Sequence, residues 1–139
     1  MGVVETGAYR KLMVLPGGKI FLKKDEIWIL DYNDDVKVKI DWYPYEDGYC
    51  ITLWQKISDT FTNFCNFKGT IKFENKKILL IDFYQFPPIQ PAIIITYNNI
   101  IEIYYRKDVR NCYECPPKNR KYTSYIHAIY EHTKKQRKN

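Results

Sequence analysis

Four side chains near the C-terminal end have the types and the spacing of a metal site. Cys112 and Cys115 form a C-x2-C pair, and His127 and His132 form an H-x4-H pair after a gap of eleven residues. Zinc takes four nitrogen or sulfur ligands in a tetrahedron, which two thiolates and two imidazoles supply. The pattern therefore indicates one structural zinc ion held by these four residues.

The stretch that carries these residues resembles a two-Cys two-His zinc finger over residues 111–135. NCYEC is similar to the first knuckle of that family, and HAIYEHTKK is similar to its ligand helix with a basic run behind it. The resemblance implies that this segment contacts nucleic acid through the helix and its flanks. It does not extend into residues 1–107.

The same stretch also has the pattern of an amphipathic helix that holds no metal. Apolar residues recur there at helical spacing, namely Tyr122, Tyr125, Ile126, Ile129 and Tyr130. In this alternative, Tyr122–Thr133 packs its apolar face on a sheet, and the two nearby cysteines are free thiols in a loop.

Positive charge is concentrated at this end of the chain. The formal net charge is +6, and residues 108–139 carry eight Lys or Arg against three Asp or Glu. Cations gathered at one end neutralise phosphates and give affinity with little sequence information. We therefore expect a non-enzymatic nucleic-acid-binding protein, and a solvated tail is the alternative. If the protein binds nucleic acid, the basic residues expected to contact phosphates are Lys118, Arg120, Lys121, Lys134, Lys135, Arg137 and Lys138.

The elements that must position this segment are strands. From Val36 to Trp42, apolar residues alternate with charged ones, which predicts a strand with one buried and one solvated face. Two hairpins follow, although Ser58–Asn66 is ambiguous and a short helix is one option there. We predict an antiparallel sandwich or barrel of about eight or nine short strands in residues 1–107. We expect residues 108–139 to be a basic C-terminal segment that is either zinc-finger-like or an α-helix packed on the sheet.

Tyr43 and Tyr45 suggest a second function. They lie in the acidic stretch DWYPYEDGY, which we expect to be a loop, and exposed aromatic residues there would anchor a protein partner. The alternative is thus a viral or accessory module that binds a host protein through these tyrosines or a sheet edge.

Enzyme chemistry has little support. The chain has no glycine-rich phosphate loop and no H-E-x-x-H motif. A two-metal nuclease site could use several aspartates, but a turn and the solvated face of a strand explain these residues without catalysis: Asp31, Asp34, Asp35 and Asp41.

The remaining cysteines and the hydropathy bear on the cellular compartment of the protein. Cys50 and Cys65 lie in apolar surroundings and are expected to be buried free thiols. Met1–Arg10 lacks the apolar core of a signal peptide, and no apolar run approaches the roughly 20 residues that span a bilayer. We therefore expect an intracellular, soluble protein without a membrane partner.

Overall fold

Nine β-strands make up the fold in the computed structural model, which describes residues 7–83 and 90–118. The strands are β1 (Tyr9–Pro16), β2 (Lys19–Lys23), β3 (Glu26–Leu30), β4 (Val36–Tyr45), β5 (Gly48–Ile57), β6 (Thr60–Glu74), β7 (Lys77–Asp82), β8 (Ile93–Tyr97) and β9 (Ile100–Arg106). The prediction of a mostly antiparallel β-fold with eight or nine strands is confirmed.

All nine strands belong to one sheet, in the order β1-β9-β8-β7-β6-β5-β4-β3-β2. From β2 onward each strand pairs with the next one along the chain. β1 and β2 are consecutive in sequence, yet β1 pairs with β9 and β2 pairs with β3. The corner between them contains Gly17 at a φ of +67°, a left-handed conformation that glycine adopts without steric cost. The sheet is open, so it is neither a closed barrel nor a two-sheet sandwich.

One apolar core lies against one face of this sheet. Alternate side chains of a strand point to the same face, and β-branched residues such as Ile27 and Ile29 suit that pleated surface. The core also takes Leu15 from β1 and Ile103 from β9, with Ile20 of β2 packed against it. Because both ends of the strand order reach the same core, the sheet curls around it.

The other face of β4 is not solvated, and the prediction of a wet face is wrong. Lys39 and Asp41 are each only 1% exposed. The ammonium group of Lys39 lies 2.7 Å from the carboxylate of Glu26, and Asp41 accepts a hydrogen bond of 2.8 Å from the indole of Trp54. These partners offset the desolvation of the two buried charges.

The long strand β6 changes partners along its length. No helix forms at Ser58–Asn66; instead the strand runs from Thr60 to Glu74. Residues 60–69 pair with β5, and residues 69–74 pair with β7. At the changeover, a Cβ on Gly69 would lie 1.9 Å from the carbonyl oxygen of Ile81, so a side chain would force the backbone apart. Before Gly69, the edge of β6 that faces away from β5 is left unpaired by β7.

An irregular segment with turns follows β9. Residues 109–118, which we name the docked segment, lie against the sheet, while the predicted helix Tyr122–Thr133 lies outside the described residues. Within residues 7–83 and 90–118, no helix is long and apolar enough to cross a membrane.

Candidate functional site around the docked segment

A disulfide fastens the docked segment to the sheet. Cys115 is bonded to Cys50 of β5, with 5.3 Å between their Cα atoms and a sequence separation of 65. Both residues are buried. The expectation that Cys50 and Cys115 are free thiols is therefore wrong, because the partner of each lies in a distant part of the sequence.

Hydrogen bonds to Asn66 align the docked segment with β6. The Cys112 amide donates to the Asn66 carbonyl at 2.9 Å, and the Asn66 amide donates to the side chain of Asn111 at 3.0 Å. The side-chain amide of Asn66 donates to the carbonyls of Cys112 and Cys115. Asn66 can serve the segment in this way because β7 begins to pair with β6 only at Gly69. The docked segment thus satisfies backbone groups that the sheet leaves open.

An ion cluster lies beside the disulfide. Lys68 is buried, and its ammonium lies 3.1 Å from the carboxylates of both Glu46 and Glu114. The same ammonium lies 4.7 Å from the centre of the Tyr45 ring, a cation–π distance. Hydrogen bonds to Glu46 and then Glu114 raise the pKa of Lys68 above its ordinary value. Since Glu114 belongs to the docked segment, this cluster adds an electrostatic contact to the covalent one.

A cavity of about 360 Å3 opens between the docked segment and the sheet, with Phe67 and Cys112 among its lining residues. Its polar wall is the buried pair of Arg106 and Asp82, whose guanidinium and carboxylate meet through two contacts of 3.1 and 2.7 Å. Arg106 also donates to Asp108 and, at 2.6 Å, to the carbonyl of Gln90. Burial lowers the pKa of Arg106, but its hydrogen bonds to Asp82 raise it overall. A guanidinium paired on this many sides has a structural role.

The two remaining cysteines differ in accessibility. Cys65 is a buried free thiol, as expected, and burial raises its pKa to about 12. Cys112 is also free, but it is half-buried and lines the cavity. Because the thiolate is the reactive form, Cys112 is the thiol of the described chain that a reagent in solution can reach.

The zinc-finger interpretation is wrong. A sulfur engaged in a disulfide with Cys50 cannot act as a thiolate ligand, so Cys115 leaves the predicted ligand set. No three His, Cys, Asp or Glu side chains gather around a common point within the described ranges. The two predicted histidine ligands, His127 and His132, lie outside the described residues.

The other predicted contact residues fall in two places. Lys118 is exposed at the end of the docked segment. The six other basic residues lie outside the described residues: Arg120, Lys121, Lys134, Lys135, Arg137 and Lys138.

Tyr43 and Tyr45 lie at the end of β4, where a loop was expected, and both are half-buried. Tyr43 donates a hydrogen bond of 2.8 Å to the carbonyl of Pro116, so both tyrosines contact the docked segment or its ion cluster.

Asn66 and Lys68 are the residues of this site that sequence reasoning missed. They flank Phe67, and a polar–apolar–polar pattern in a strand ordinarily marks two solvated positions. Here the docked segment covers them. The sequence signal for these two residues is that they share one strand face and lie beside a cysteine of the neighbouring strand. To see this signal, one must know the strand register, in which Cys50 pairs with Lys68.

No protein-family model, curated protein or solved structure matches this chain.

Proposed function

We propose that this protein binds nucleic acid through residues 118–139, with the curled sheet as the scaffold that carries them. The observation behind the proposal is the charge distribution. Residues 118–139 carry seven Lys or Arg and one Glu, whereas residues 1–117 carry fifteen basic and fifteen acidic residues. The whole formal excess of +6 belongs to this end of the chain.

The charges beside the docked segment support this location. Lys68 is neutralised by Glu46 and Glu114, and Arg106 is paired with Asp82 and Asp108. These cations are already engaged, so the sheet around the docked segment offers a phosphate little net attraction. We expect a polyanion to meet instead the net positive charge of residues 118–139.

The disulfide supports the proposal in a second way. It fixes the chain at Cys115, and Lys118 is exposed three positions later. The described part of the basic end, Lys118, is therefore held close to a fixed point of the sheet. Disulfides persist in oxidising compartments and are rare in a reducing cytosol, so we expect this binding to take place in an oxidising setting.

Salt dependence is the test. Fluorescence anisotropy would follow the binding of a short labelled DNA duplex, and of RNA of the same sequence, to the oxidised full chain. Seven phosphate contacts give a slope of log K against log salt of about −6, so affinity falls about 10³-fold or more between roughly 50 and 200 mM salt. Binding that does not change over this range would overturn the proposal.

Two variants of equal net charge locate the contact. The first replaces seven basic residues of the C-terminal end with Gln: Lys118, Arg120, Lys121, Lys134, Lys135, Arg137 and Lys138. The matched control replaces seven exposed cations of the sheet with Gln: Arg10, Lys19, Lys24, Lys72, Lys76, Lys77 and Lys107. We expect the first variant to lose both affinity and salt slope, and the control to keep most of both. Equal losses in the two variants would refute a localised contact.

A further inference from the structure

A second cavity, of about 300 Å3, lies away from the docked segment. One of its walls is the edge strand β2, and the opposite wall comes from β6, β7, β8 and β9. These walls are far apart in the strand order, so the cavity lies where the curled sheet brings its β2 edge towards its middle. The cavity therefore leads from the surface to residues of the apolar core.

Most of the lining of this cavity is apolar. Ile78 and Ile101 are buried at its floor, and Ile20 and Tyr97 are half-buried. Leu22 and Phe73 are 62% and 50% exposed. Large apolar side chains that face water around a concave space are a common mark of a ligand site in a β-fold.

The polar groups are confined to one side of the rim. Asn98 and Asn99 lie in the turn between β8 and β9, and both are exposed residues that line the cavity. The side-chain oxygen of Asn98 accepts a hydrogen bond of 3.3 Å from Lys76. Among the described residues, no charged side chain lines the cavity itself. Lys76 beside this rim is already bonded to Asn98, so an ionised ligand would lose its hydration on the apolar lining without gaining a charged partner there.

From this lining we propose that the cavity binds a small, uncharged, mainly apolar molecule that carries one hydrogen-bonding group. The apolar part lies against Ile78 and Ile101, and the polar group lies at the rim beside Asn98 and Asn99. An apolar cavity of about 150 Å3 holds benzene, so this space suits a ligand of about two fused rings or an alkyl chain of comparable size. The proposal is independent of nucleic-acid binding.

1-Naphthol is a probe of this class, and 1-naphthalenesulfonate is its charged counterpart with the same ring. Titration of each into 15N-labelled oxidised protein would be followed by nuclear magnetic resonance, reading the side-chain amides of Asn98 and Asn99. We expect saturable 1:1 binding of 1-naphthol with a Kd on the order of 0.1 mM. The sulfonate should bind at least about tenfold more weakly at this site.

A variant that narrows the mouth tests the position of the ligand. Leu22→Trp places a larger ring at the opening without touching the buried floor, whereas Ile57→Trp adds the same ring to an exposed position of β5 outside the cavity. We expect the first to weaken 1-naphthol binding by at least about tenfold and the second to leave it unchanged. The proposal is overturned by non-saturable binding, by equal effects of the two variants, or by equal affinity for the naphthol and the sulfonate.

Discussion

Removal of the Cys50–Cys115 disulfide should lower the free energy of unfolding by about 4 kcal/mol. The bond spans a sequence separation of 65, and a cross-link of about this length removes roughly 14 cal/mol/K of entropy from the unfolded chain. At 25 °C this is the stated 4 kcal/mol. For a chain of 139 residues, the midpoint of thermal unfolding should fall by roughly 15 °C.

Urea unfolding measures this change in two independent ways. The Cys50→Ser/Cys115→Ser variant removes the bond permanently, and reduction of the natural protein removes it without substituting a side chain. Cys112→Ser is the matched control, because Cys112 is a free thiol in the same segment. A loss below about 1 kcal/mol on reduction, or an equal loss in the control, would show that the tether does not stabilise the fold in this way.

Three further outcomes follow from the buried groups. Asp82→Ala should cost about 3–5 kcal/mol because it leaves Arg106 buried without its main partner, and Asp82→Leu/Arg106→Met should recover most of that loss in the same urea assay. In the oxidised native protein near pH 8, iodoacetamide should alkylate Cys112 and spare Cys65, because burial raises the pKa of the Cys65 thiol to about 12; mass spectrometry showing comparable labelling would contradict the buried position of Cys65. Burial also raises the pKa of Tyr9 to about 12, so the unfolded chain loses this proton first. Tyr9 should contribute a fall in stability of roughly 1.4 kcal/mol per pH unit from about pH 10 to pH 12, beside the contribution of Cys65. Tyr9→Phe should show a shallower decline over that range, and an unchanged slope would exclude Tyr9 as the cause.

The strands could be predicted wherever local pattern decides them. The predicted hairpins include the pair of β8 and β9, because a two-residue Asn-Asn turn and β-branched residues specify a hairpin locally. The buried charge on β4 could not be predicted in the same way. Lys39 tolerates burial only because Glu26 lies within reach on the neighbouring strand, and that proximity depends on register.

The candidate site depends on partners that are still more distant. C-x2-C spacing is common to metal knuckles and to other cysteine chemistry, and nothing near Cys115 in sequence selects Cys50 as its partner. Cys115 meets Cys50 because β6 pairs with β5 up to Gly69 and with β7 only from Gly69 onward. The backbone of Asn66 can therefore bond to the docked segment. A change of strand partner is a property of the assembled sheet, so local pattern could not show where the docked segment would lie.

The Cys50–Cys115 bond also makes a ring of the chain, from near the start of β5 to the docked segment after β9. A protease that cuts once inside this ring leaves both pieces covalently joined, and they separate on a gel only after reduction. A cut after Lys118 instead releases six of the seven basic residues of residues 118–139 and leaves the ring whole. Limited digestion can therefore remove the charged end while the covalently closed sheet remains.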